Sequence, residues 1–308
     1  MGSHLVDRLL RMGSRVRSFD RPLIQSVVGA PAVVDGLSFM DGDFTSDADV
    51  GAAIEGCQYC FHLVSTTLPK TSNADPVYDV ETNLVSTIKL LKHAADKRVQ
   101  VIFISSGGTV YGRPRTVPIP EHHPTEPTCS YGITKLSVEK YLELFRQMQG
   151  LEYCVLRLSN PYGERQRTEA AQGAVAVFLG KALRGEAIEV WGDGSVIRDY
   201  IHISDVIEAM VSAIGSRADR VLNIGSGVGM SLNTVLDTIE RVCGVPVQRH
   251  YSAARSFDVP TNVLDVSLAR SSLGWEPKVS FEEGLARTAT WLLKEWGRNP
   301  ESRIPRGS

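Results

Sequence analysis

The apolar positions of this chain fall into two patterns, short continuous runs and stripes that recur every three or four residues. Leu5, Val6, Leu9 and Leu10 form such a stripe, and Gly13 follows as a stop signal, so a helix opens the chain. Val16-Arg17-Ser18-Phe19-Asp20 then reads as a short strand ending in an acid. A polar helix is predicted near Asp47 to Glu55, and a strand over Tyr59 to Val64. Asp75-Pro76 has the character of a helix start, and Val80, Leu84, Ile88 and Leu91 carry that helix to about Lys97. Val99 to Ile104 reads as a buried strand, Ser130 to Met148 as a helix and Glu152 to Leu158 as another strand. Strands alternating with helices predict an α/β protein with a parallel, doubly wound sheet.

Beyond Asn160 the alternation loosens. Helices are expected at Val175 to Arg184, Val206 to Ile214, Leu232 to Val242 and Phe281 to Trp291, with short strands at Ala187 to Val190 and Val221 to Ile224. The Gly-rich turn Trp191-Gly192-Asp193-Gly194 separates two of them. The expected organisation is a sheet domain over 1–160, a smaller lobe over 161–298 with segments returning to the sheet, and a polar tail over 299–308. No internal repeat is visible.

Composition narrows the class without naming it. With 308 residues the chain can bury a full core, and its 43% hydrophobic and 22% charged residues are ordinary for a globular protein. A net charge of -2 gives no electrostatic reason to expect a nucleic-acid partner. No apolar run approaches the roughly 20 residues that span a bilayer, and no signal-peptide pattern opens the sequence, so no membrane is expected and the cytoplasm is the expected compartment. Cys57-Gln-Tyr-Cys60 has redox or zinc spacing, but no second cysteine pair stands behind it, and Cys60 falls inside an apolar run. The pair is read as packing, His122-His123 lacks helical spacing to another ligand, and no metal site is expected.

The chemistry concentrates in Tyr131-Gly132-Ile133-Thr134-Lys135. Residues i and i+4 share a helix face, so the ammonium can stand near the phenol and favour phenolate. Tyr131 then becomes a candidate general acid/base for a hydroxyl. On its own the spacing is common among solvated helix pairs. Upstream, Phe103-Ile104-Ser105-Ser106-Gly107-Gly108-Thr109-Val110-Tyr111-Gly112 is a strand opening into a small-residue loop, and strand ends are where open parallel sheets place ligands. Downstream lie Arg157-Leu158-Ser159-Asn160-Pro161-Tyr162-Gly163 and Arg198-Asp199-Tyr200-Ile201-His202. With these motifs in this order, from Gly2 to about Trp291, the chain resembles the extended short-chain dehydrogenase/reductases. Within them it is most similar to the NAD-dependent nucleotide-sugar 4-epimerases of the UDP-glucose/UDP-galactose type.

That resemblance implies a Rossmann-like fold, NAD as cofactor and a nucleotide sugar as substrate, inverted at C4 through a 4-keto intermediate. It assigns Tyr131 as the catalytic tyrosine and Lys135 as the lysine on the nicotinamide ribose. Asp20 would take the adenosine ribose, Asp43 and Phe44 the adenine, Leu63 the pyrophosphate segment and Asn83 a cofactor ribose. Asn160, Arg198 and Arg255 would bind the substrate diphosphate, with Val190 and Trp191 at the uracil position. Homodimerisation is implied through helices at about Tyr78 to Lys97 and Ser130 to Met148. Two departures accompany it. The family's helper Ser or Thr is Gly107 here, leaving Ser106 or Thr109 to supply the hydroxyl. The sequence also opens at Gly2, the position of the last glycine in a GxGxxG-like turn. The expectation is a sheet lacking its first strand and most of that turn, with NAD binding weakened or lost. A dehydratase or reductase, or a catalytically dead binding or assembly protein, are the alternatives.

Overall fold

The computed structural model describes residues 1–22, 34–169, 173–216, 220–254 and 259–298. The first half runs α1 (Gly2–Arg11), β1 (Val16–Asp20), β2 (Leu37–Asp41), α2 (Asp47–Ala53), β3 (Tyr59–His62), α3 (Pro76–Asp79), α4 (Ser86–Lys97), β4 (Gln100–Ser106), α5 (Ser130–Gln149) and β5 (Tyr153–Leu158). β6 (Asn160–Tyr162), α6 (Ala174–Arg184), β7 (Ile188–Trp191), β8 (Ile197–His202), α7 (Ile203–Ser212) and β9 (Val221–Ile224) follow. The chain continues through β10 (Gly229–Ser231), α8 (Leu232–Cys243), β11 (Arg249–Ser252), β12 (Thr261–Asn262), α9 (Ser267–Leu273) and α10 (Phe281–Arg298).

β4 is buried along nearly all its length, as its continuous apolar run requires of a central strand in a sheet covered on both faces. It pairs in parallel with β3 and β5, and β5 with β9, giving the order β3-β4-β5-β9. Side chains of adjacent residues go to opposite faces. Ile102, Ile104, Leu156 and Leu158 pack with Leu5 and Leu9 of α1 and Val206 and Met210 of α7. Val101, Phe103 and Val155 pack with Val50 of α2, Leu91 of α4 and Leu142 of α5. The sheet is thus doubly wound. β1 and β2 form a separate parallel pair, and among the described residues no strand joins β1 to β3.

A third cluster joins β7 and β8 to α6, α8 and α10 through Leu179, Ile188, Tyr200, Leu236 and Leu292. β8 pairs with β6, β10 and β12, which brings the chain after Asn160 alongside the end of β5. β9 returns to the first sheet, and Ala269 of α9 packs on its apolar face. No described helix is long and apolar enough to cross a membrane.

The structure differs from the sequence reading between Asp75 and Lys97. In place of one regular helix, α3 and α4 are joined by a π-helical turn, Val80–Val85. Side-chain hydroxyls occupy carbonyls there: Ser86 Oγ donates to the Glu81 carbonyl five residues back, and Thr87 Oγ1 to the carbonyl of Asn83. Such back-bonding and π turns both loosen the regular ladder. The expected tail 299–308 lies outside the described residues.

Candidate active site at the start of α5

Tyr131 and Lys135 project from the first turns of α5, beside the C-terminal end of β4. Lys135 is buried, donates to the Ile104 carbonyl at 2.9 Å, and stands 4.7 Å from the Phe103 ring centroid and 5.6 Å from that of Tyr131. The i, i+4 spacing does place cation and phenol together. The expected lowering of the phenol pKa is not what the geometry produces. Burial, reinforced by Cys129 and Asp79, pushes Tyr131 up to about 12. Lys135 is pulled down to about 8 by burial, against the opposing fields of Asp79 and Glu139. With its ammonium engaged by a carbonyl, Lys135 does not outweigh the desolvation of the phenol.

The start of α5 is held from outside the helix. Tyr131 N–H donates to Ser72 Oγ at 3.0 Å and Ser130 N–H to Asn73 Oδ1 at 2.8 Å, so the loop after β3 satisfies amides that a helix start leaves open. Asn83, on the π turn, accepts from Thr66 N–H at 2.9 Å and donates to Asp79 Oδ1 at 3.0 Å. Asp79 itself, fully buried, was not singled out by the sequence; its four side-chain donors come from the loop after β3, the π turn and α5. Tyr131, Lys135, Asp79, Asn83 and Phe103 share the lining of a cavity of about 10 Å³, room for one water molecule.

The loop after β4 shows where the helper hydroxyl can and cannot be. A Cβ on Gly107 would stand 2.6 Å from Leu264 Cδ1, so the position is closed to any side chain unless Leu264 moves. Thr109 Oγ1 is buried and has no hydrogen-bond partner among the described residues. Its backbone and Cβ press on Gly132, the neighbour of Tyr131, where a Cβ would meet Thr109 O at 3.0 Å. Ser106 is half-buried at the end of β4. The buried Arg157–Glu139 pair, 2.5 Å apart, fixes α5 against β5 behind this loop, with Ser105 and Tyr111 also bonded to it.

The remaining predicted residues divide into two groups. Gly2 and Leu63 adjoin, since a Cβ on Gly2 would lie 3.7 Å from Leu63 Cδ1, placing the start of α1 at the end of β3. Asp20 ends β1, exposed and in register with Asp41. Asp43 accepts from Thr45 N–H and Oγ1, which holds its carboxyl below the usual range, while Phe44 is buried against α2 and α4. A ribose diol suits the exposed Asp20 carboxylate and the start of a ten-residue helix suits a phosphate, so these residues fit the ends and middle of a dinucleotide. On the other side, Asn160 Nδ2 donates to the Asp199 carbonyl, and Arg198 donates to the carbonyls of Ile197 and Val259. Asp199 locks this strand by accepting from Ser226, Gly227 and Leu264. The Val190 side chain belongs to the buried third cluster, whereas Trp191 is half-buried with Lys70 Nζ 5.7 Å from its ring. Arg255 lies outside the described residues. An open groove of about 550 Å³ beside α10, lined by Glu164, Glu283, Arg287 and Trp291 among others, contains none of these residues. Among the described residues no group of three His, Cys, Asp or Glu could hold a metal ion, and Cys57 and Cys60 are free thiols.

A sequence model of the NAD dependent epimerase/dehydratase family matches residues 1–225. UDP-glucose 4-epimerase of Mycolicibacterium smegmatis is 33% identical over 298 residues, 95% of either chain. A dTDP-4-dehydro-6-deoxyglucose reductase of Escherichia coli is 33% identical over 232 residues, 73% of this chain and 71% of that one. Among solved structures, UDP-glucose 4-epimerase of Thermotoga maritima, determined with UDP-glucose, superposes with a TM-score of 0.88 at 34% identity, covering 96% of each chain.

Proposed function

This chain belongs to the NAD dependent epimerase/dehydratase family, and on that premise we propose that it inverts C4 of a nucleotide-activated hexose, of the UDP-glucose/UDP-galactose kind, with NAD. The observation that carries this reading is the pair of half-buried Tyr131 and buried Lys135 beside the end of β4, with Thr109, whose buried hydroxyl has no partner among the described residues, packed on the intervening Gly132. Asp20, Asp43, Phe44, Leu63 and Asn83 would line the cofactor from adenosine to ribose, the amides at Gly2 would face its phosphates, and Lys135 would reach the nicotinamide ribose. Bound there, NAD supplies a hydride acceptor that can return the hydride to the same carbon. Tyr131 would take the proton of the 4-hydroxyl as the C–H bond at C4 breaks and a carbonyl forms, and would give it back to that oxygen when hydride re-enters C4 from the opposite face. Lys135 lowers the cost of the phenolate. Thr109 or Ser106 donates to the reacting oxygen in place of the residue absent at Gly107. Asn160, Arg198 and Arg255 hold the diphosphate, guanidinium being suited to phosphate oxygens, and Trp191 covers the base. Val190 contributes backbone only, its side chain being in the core. We place the cofactor-binding unit in 1–160 and most substrate contacts in 161–298.

A second reading, reduction of a 4-keto nucleotide sugar, is favoured by the likeness to the E. coli reductase. Assays with UDP-galactose and UDP-glucose, and with a dTDP-4-keto-6-deoxyhexose plus NADH, separate the two. Interconversion without net NADH change supports epimerisation. Stoichiometric NADH oxidation with only the keto sugar replaces it by reduction, and inactivity on all of them would leave the binding-protein alternative.

A further inference from the structure

The Asp79 carboxylate accepts four side-chain hydrogen bonds beside the proposed site. Its carboxylate is completely shielded from solvent at the junction of α3 and the π turn. Oδ2 accepts from Ser130 Oγ at 2.6 Å and Thr134 Oγ1 at 3.0 Å, both on α5, and these residues flank Tyr131 and precede Lys135. Oδ1 accepts from Asn83 Nδ2 and Thr67 Oγ1. A buried charge that accepts several directed bonds is worth its desolvation only if every partner stays in place, so such a group fixes geometry. The same carboxylate faces a second problem. Lys135 is buried with a single described hydrogen bond, to a neutral carbonyl, and a desolvated ammonium tends to shed its proton.

Resting on the catalytic reading of Tyr131 and Lys135, we propose that Asp79 is a positioning residue, which anchors the first turn of α5 and supplies the counter-charge that keeps buried Lys135 cationic. The charged or titratable groups facing Lys135 are Glu139 and Tyr131 on α5, Asp79 across from it and His62 on β3. Glu139 is committed to Arg157 through three hydrogen bonds. His62 is held neutral, its pKa pushed down to about 3 by burial and by Lys135 itself. Asp79 is therefore the carboxylate in this set whose charge no cation pairs directly among the contacts described. Removing it makes the ammonium harder to keep and the phenolate easier to form, so both titrations move toward lower pH.

The test uses Asp79→Asn, which keeps shape and most hydrogen-bonding capacity while deleting charge. NMR of ¹³Cε-labelled lysine, with the Lys135 signal assigned by its loss in Lys135→Met, should show a titration near 8 in the parent and roughly one pH unit lower in Asp79→Asn. With UDP-galactose, kcat should fall at least about tenfold with KM little changed, and both limbs of its pH profile should shift to lower pH. Superimposable Lys135 titrations in parent and variant would overturn the counter-charge role. Ser130→Ala retains the charge and cuts one anchor; kcat falling several-fold with unmoved pH limbs supports anchoring, and unchanged kcat overturns it. If Asp79→Asn does not fold, Asp79→Glu takes its place, with the Lys135 titration expected to stay near 8; a drop of a unit there would contradict the charge argument. The titration needs no turnover, so it decides the role of Asp79 even where the parent proves inactive on every sugar nucleotide and the catalytic reading fails.

Discussion

Tyr131 is a phenol whose burial opposes the ionisation that general-base work demands, since it stands near 12 against an ordinary value of about 10. A residue carried at that cost and placed beside a buried lysine is better explained by chemistry than by packing. Tyr131→Phe should therefore lower kcat by about 10²- to 10⁴-fold while leaving the urea midpoint and nucleotide-sugar affinity nearly unchanged. Steady-state assays and calorimetric titration check it, and a variant near parental rate removes Tyr131 as the base. Thr109 offers a sharper discrimination. Its hydroxyl is buried with no hydrogen-bond partner among the described residues, so Thr109→Val should change stability by less than about 1 kcal/mol yet reduce kcat by roughly 10²-fold. A larger loss from Ser106→Ala than from Thr109→Val would move the helper role to Ser106. Tyr131 and Lys135 were legible in the sequence because their pairing is local to one helix. Asp79 was not, because its partners come from the β3–α3 loop, the π turn and α5, and nothing local marks them as neighbours. The direction of the Tyr131 shift was misread for a related reason: spacing reveals a nearby cation but not how deeply the phenol is buried.

At the scale of elements, α3, the π turn, α4 and α5 carry the site on their inner side and an unusual surface on the other. Val77, Val80, Val85, Ile133, Leu144 and Met148 are all exposed, with Met148 at 68% and Val77 at 66%. On α5 the exposed positions are Ile133, Leu144 and Met148, the last two one turn apart on one helix face. We take this as the dimer face: light scattering at micromolar concentration should give twice the 33.7 kDa chain mass, and joint substitution Leu144→Lys with Met148→Glu should give monomer. A monomeric parent would refute the assignment. Long elements were read nearly to their ends, as with Ser130 to Met148 against the observed Ser130–Gln149, because burial on a face imposes period on the sequence. β2, β6, β8, β10, β11 and β12 went unread. Their pairing is set by strands elsewhere in the chain, as when Thr261–Asn262 lies along β8. The π turn was hidden for the opposite reason, since its apolar spacing matches an ordinary helix.

Across the whole molecule, apolar clusters on both faces of the doubly wound sheet and a third beneath β7 and β8 make up the main cores. The proposed chemistry is placed at the seam between sheet and lobe, with Tyr131 on α5 and Trp191 on β7, whose ring Lys70 of the loop after β3 approaches. The seam could be expected from strand alternation giving way to looser patterning near Asn160, whereas the crossing of β8 beside β6 needed coordinates. The central claim is that hydride leaves C4 and returns to it without meeting solvent. Proton NMR of UDP-galactose incubated with the protein and NAD in D₂O tests this directly. The account predicts growth of UDP-glucose with the C4 proton retained at full intensity and no net NADH; deuterium appearing at C4, or no inversion alongside stoichiometric NADH oxidation by a 4-keto sugar, would contradict it.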